Sequence, residues 1–326
     1  MSPSFEDIDS KVEKAQGDKA RFLKSKEGLL PHFEFPTGET KEEKQFSKET
    51  LLADMYEEKI DQMKEAMQSP ILLENVYREF QSDATKRLYD PRTLDVLSAL
   101  KTTNTFSCFS PERQNEINSY LENPILFESM SQYMRDRAIE GSEKEGENTK
   151  SASLVFKAFS ALITTHLFSR FSPKQQNKIM TYLENPIVLE NTYLYLQHNA
   201  MRGALEEGES IDHAFFAFLY LSVLISTRAF SHLSLDQQNE INSYLENPVL
   251  IENTFRHTRN NIAQGSKKEG ERTSEAFWAF DAFSSLIIVK DYLREKGKKI
   301  DDENFAKEAL NPTEKIPPRP EGVLGK

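Results

Sequence analysis

The sequence predicts an all-α protein, an α-solenoid-like array of three-helix units, and three observations predict it. The eleven letters QNEINSYLENP at residues 114–124 return unchanged at 238–248, with QNKIMTYLENP between them at 176–186. The Asn-Pro steps therefore fall at 123–124, 185–186 and 247–248, a period of 62 residues both times. Long stretches of good helix formers are broken only briefly, and 326 residues contain just 12 glycines. Finally, Ser, Asn or Asp stands before proline at 69–70, 90–91, 110–111, 123–124, 172–173, 185–186 and 247–248. Proline suits the first position of a helix, where its missing N–H is no loss, and the residue before it suits an N-cap. That preceding residue also avoids helical geometry, so each step ends one helix and begins another.

In chain order, residues 1–46 are polar and mixed in charge, and their composition predicts disorder, with a short amphipathic piece around 8–23. The cluster Leu29, Leu30, Phe33 and Phe35 within them is expected to dock on the first unit. A helical domain is expected over 47–296, divided into units at about 47–109, 110–171, 172–233 and 234–296. Leu51, Leu52, Met55, Ile60, Met63 and Met67 suit one face of its opening helix. The run PILLEN at 70–75 is an earlier edition of PILFES, PIVLEN and PVLIEN at 124, 186 and 248, so a degenerate unit precedes three full ones. It lacks about eight residues of the connector that reads Glu-Gly-Glu at 145–147, 207–209 and 269–271 elsewhere, as expected of an atypical end unit.

Each full unit divides into a short helix, a second helix beginning at the Asn-Pro step, and a third after the Gly-containing connector. The third carries Phe156, Phe159, Leu162 and Ile163, then Phe218, Leu221, Leu224 and Ile225, then Phe280, Phe283, Leu286 and Ile287. Offsets of three, four and seven mark one buried face. Beyond Tyr292 the chain turns polar, and a separate helix over 302–310 with an extended tail over 297–326 is expected. The period matches none of the helical repeats of about 33, 34 or 40–47 residues.

A net charge of −11 argues against a nucleic-acid binder relying on bulk positive charge. The most apolar run, 214–225, is too short for a membrane span of about twenty residues, and the N-terminus lacks the apolar stretch of a signal peptide. The single cysteine, Cys108, suits a reducing, cytoplasmic compartment and reads as a small buried residue. Six histidines fail to recur at the repeat period, and HExxH, GxGxxG and P-loop patterns are absent. No cofactor, metal site or catalytic residue is therefore expected. The recurring Glu74, Glu128, Glu190 and Glu252 suit the positive end of a helix dipole. Gln114, Gln176 and Gln238 are expected to bridge helices.

Function is sought where the copies disagree. On the second helices these positions include Tyr133 and Arg135, Tyr195 and His198, then Arg256, His257 and Arg259, residue types favoured at interfaces. The reading they support is a non-enzymatic module that binds another protein through these seven residues. Two alternatives stay open: a regulator or secreted bacterial effector, exported without a signal peptide, that acts by binding an enzyme, and an enzyme whose site draws on distant units.

Overall fold

A computed structural model describes residues 47–86 and 91–310, with side chains over 47–82 and 93–301. The expected disorder of 1–46, the docking cluster at 29–35, the 90–91 cap and the tail beyond 310 lie outside the described residues. Twelve α-helices and three short 3-10 turns account for the described elements, and no strand occurs among them. The first unit comprises α1 (Lys48–Met67), α2 (Pro70–Lys86) and α3 (Pro91–Thr102). The second comprises α4 (Pro111–Leu121), α5 (Pro124–Gly141) and α6 (Thr149–Thr164); the third, α7 (Pro173–Leu183), α8 (Pro186–Gly203) and α9 (Ile211–Ser226). Helices α10 (Leu235–Leu245), α11 (Pro248–Gly265) and α12 (Thr273–Leu310) complete the fourth.

The punctuation works as capping chemistry predicts. Ser110 accepts from the Arg113 N–H, and Asn123, Asn185 and Asn247 accept from backbone N–H groups two or three residues on. Ser172 and Ser234 form full capping boxes with Gln175 and Gln237. Each such cap contributes about 1 kcal/mol.

Packing carries the chain round until its ends meet. The third helices touch in succession, α3 on α6, α6 on α9, α9 on α12, and α12 returns to α3. Each of α5, α8 and α11 packs on the third helix of its own unit; α8, α11 and α2 also pack on the third helix before them, which for α2 is α12. One buried core runs through all four units.

A buried asparagine ties three of the four junctions. Asn191 donates from Nδ2 to the Gly141, Lys144 and Glu147 carbonyls at 2.9, 2.9 and 3.1 Å, and its Oδ1 accepts from the Gly146 N–H at 2.7 Å. Asn253 does the same to Gly203, Glu206, Glu209 and Gly208. Asn75, in the first unit, holds Gly265, Lys268 and Gly270 of the last. The glycine N–H can turn inward because Gly146, Gly208 and Gly270 sit at φ of +79°, +85° and +77°.

The first unit is therefore not the free end cap of an open stack that the sequence suggests; its helices are covered by the last unit. Two further expectations change for the same reason. The polar stretch after Tyr292 continues α12 without a break to Leu310, because its near side lies on α1. Ser47 N–H and Thr50 Oγ1 donate to the Asp301 carboxylate at 2.7 and 2.8 Å, and Arg294 pairs with Asp54 and Glu57. Gly297 permits this approach, since a Cβ there would stand 2.4 Å from Thr50 Oγ1. On α1 the buried face is Ala53, Tyr56, Ile60, Met63 and Met67, while Leu51 is exposed.

Local corrections are smaller. Cys108 is exposed rather than buried, on the 3-10 turn Phe106–Cys108. Gln114, Gln176 and Gln238 donate to the Phe109, Phe171 and Leu233 carbonyls, each at 2.8 Å. They brace the entry to their own helix instead of bridging two.

Candidate functional site: the clefts between units

Where a second helix meets the first helix of the next unit, the four junctions come in two kinds. At α2–α4, Tyr77 donates its phenol to Glu116, and Gln81 Nε2 donates to the same carboxylate at 3.1 Å. At α8–α10, Tyr193 donates to Glu240 at 2.6 Å and Gln197 Nε2 at 2.9 Å. Both tyrosines are buried, 5% and 4% exposed. Burial, then the bonded carboxylate, pushes Tyr77 up to about 12 and raises Tyr193 as well. The protonated phenol is the form the fold holds, so this stabilisation is complete below pH 10.0, the ordinary tyrosine value, and is lost as pH rises through about 12. Removing both phenols, Tyr77→Phe with Tyr193→Phe, is expected to flatten the fall of Tm with pH in that window. An unchanged slope would count against the two seals.

The other two junctions lack the tyrosine–glutamine–glutamate set. Counting from each helix-starting proline, the Tyr77 position becomes Ser131 in α5 and Phe255 in α11, and the Gln81 position becomes Arg135 and Arg259. Arg135 flanks a cleft of about 150 Å³ between α5 and α7. Arg259 flanks one of about 540 Å³ between α11 and α1, walled by Met63, Ala66 and Ile262. Both arginines are exposed and held by a carboxylate of their own helix, Asp136 at 3.2 Å and Glu252 respectively. Glu252 also accepts from Lys59 of α1 at 2.8 Å. Its relatives Glu74 and Glu190 reach Arg113 and Gln237 in the next unit, so this column of glutamates joins units as well as sitting near helix N-termini.

The remaining predicted residues go elsewhere. Arg256 Nη2 bonds Glu207 of the preceding connector at 2.9 Å, as Arg78 bonds Glu269. His257 is buried, its ring stacked on Phe215 at 4.4 Å and its Nδ1 3.1 Å from Asp212. His198 is exposed, 6.3 Å from the His213 ring. Tyr133 and Tyr195 are half-buried, Tyr195 edge-on to Tyr220 at 5.0 Å, Tyr133 beneath the Arg137 guanidinium at 5.4 Å. The structure thus places Arg135 and Arg259 at equivalent clefts and separates them from the other five.

Where the third helices of the units converge, at the axis of the array, lies a group that the sequence reading missed. Lys157 of α6 pairs with Asp95 of α3 at 3.1 Å and Asp281 of α12 at 2.9 Å, all three nearly buried. Leu219 holds the same column in the third unit. Burial opposes the ammonium charge, but Asp281 and Asp95 outweigh it and hold Lys157 well above the ordinary lysine value. The signal was present: position 95, 157, 219 and 281 reads Asp, Lys, Leu, Asp in otherwise apolar helices. A protonated ammonium has no lone pair with which to act as nucleophile or base.

Among the described residues no group of three or more His, Cys, Asp or Glu is placed to hold a metal, and no helix is long and apolar enough to cross a membrane. Comparison with protein-family models, curated proteins and solved structures returns no match for this chain.

Proposed function

We propose that this protein is a non-enzymatic binding scaffold, a closed array of four stacked helical units that holds a partner protein at the two arginine-flanked clefts. The observation that carries this reading is the alternation of junctions. Two are sealed by tyrosine, glutamine and glutamate, and two carry an exposed arginine beside an unfilled space at the same helical position. Sealing is the cheaper solution for stability, since a filled junction buries more surface and satisfies more polar groups. Leaving two junctions open therefore suits a surface kept for a partner. Arginine is enriched where partners bind most tightly, because it combines a flat apolar stem with directed donors.

The test is the double reversal Arg135→Glu with Arg259→Glu. Both side chains are exposed and their partners lie on their own helices, so the fold should tolerate the change. Partner capture by the full chain is expected to weaken by about tenfold or more, with an unaltered circular dichroism spectrum. Capture at wild-type level would remove the proposal.

A further inference from the structure

The cleft between α5 and α7 carries cations where the two sealed junctions carry carboxylates, and the repeat itself supplies the comparison. The first helices read PERQNEINSYL, PKQQNKIMTYL and LDQQNEINSYL in units two, three and four. Two positions that are acidic in their neighbours, Glu112 and Glu116 or Asp236 and Glu240, are Lys174 and Lys178 in α7. These lysines are exposed and line the same cleft as Arg135, with Ser131, Tyr182 and one carboxylate, Glu128. Glu116 and Glu240 are the acceptors that seal their junctions, so Lys178 both removes the seal and replaces it with a cation. Opposite it, Ser131 leaves the volume that Tyr77 and Tyr193 fill elsewhere. The two changes fall on facing helices and act together: a space opens and three cations surround it, on a chain whose net charge is −11.

We infer that the α5–α7 cleft binds a glutamate- or aspartate-rich segment of the partner protein. This rests on the scaffold reading for the idea that the clefts face a partner, and adds the chemistry of what enters this one. Charge complementarity makes the choice. Arg135, exposed beside Asp136, adds a guanidinium to the rim, and the two lysines offer point charges one helical turn apart, spaced for alternate acidic side chains of an extended chain. Binding through exposed cations is weakened by salt.

A fluorescent oligoglutamate peptide, followed by anisotropy with the full chain, tests the assignment. Lys174→Glu with Lys178→Glu places the residues that unit two already carries there, so it should fold; it is expected to weaken peptide binding by about tenfold or more. A second variant, Ser131→Tyr, Arg135→Gln and Lys178→Glu, rebuilds the seal of the neighbouring junctions and is expected to abolish binding while raising Tm. Equal peptide binding by wild type and either variant, or none by wild type, overturns the assignment. So does tighter capture of a single-stranded oligonucleotide of matched length, or of inorganic phosphate alone. The two readings fail separately. If the peptide ignores the lysines, the cleft assignment falls alone; if Arg135→Glu with Arg259→Glu also keeps its partner, the scaffold falls with it.

Discussion

Replacing Lys157 by methionine is expected to destabilise the protein by about 3–5 kcal/mol, because it leaves two carboxylates buried at the axis without their cation. Asp95 and Asp281 are 8% and 5% exposed, and they come from units one and four, the two ends of the chain. Desolvating a carboxylate is costly, and the ammonium lying 3.1 and 2.9 Å away offsets that cost for both. The triple replacement Asp95→Leu, Lys157→Leu, Asp281→Leu copies the leucine that unit three already has and should recover stability close to the wild type. Urea denaturation of both variants measures this. A loss below about 1 kcal/mol in Lys157→Met would show that the axis is wetter than its burial implies. The arrangement also bears on assembly. Lys157 of the second unit draws in a carboxylate from each end of the chain, Asp95 of α3 and Asp281 of α12. Its raised pKa means that this contribution is complete below the ordinary lysine value of 10.5 and is lost only as pH rises beyond it.

Asn75→Ala is expected to cost about 3 kcal/mol and to loosen the far end of the chain. The side chain is fully buried, and removing it strands the Gly265 and Lys268 carbonyls and the Gly270 N–H. Hydrogen exchange is the telling measurement. In an open stack, a change in the first unit would leave the last untouched; with the ends joined, amides over 265–276 should exchange faster. Unchanged exchange there would disprove the closure. Ser129 stands at the equivalent place in unit two, facing the unit whose connector is shortened, so the one missing clamp coincides with the one missing target.

The candidate clefts were only half legible beforehand. Looking where the copies disagree on the second helix led to Arg135 and Arg259, which the structure brings to equivalent clefts. The same rule also selected His257, which is buried against Phe215 because a position can vary between units to suit an internal neighbour as readily as an outside one. It missed Lys174 and Lys178, on the first helix just before and within the most repetitive stretch, where agreement of the surrounding letters hid the change of sign.

What the sequence determined by itself is local: where helices begin, because caps and prolines act within a few residues, and which face of each is buried, because apolar spacing follows the helical turn. It also determined the unit, since a period of 62 residues is a property of the letters alone. Whether the units run on or return to their start was decided by tertiary structure. That depends on the small rotation between successive helices, set by side-chain volumes at each contact and accumulated over four steps. So the partners of Asn75 lie about 190 residues away, and Asp95 meets Asp281 across a lysine.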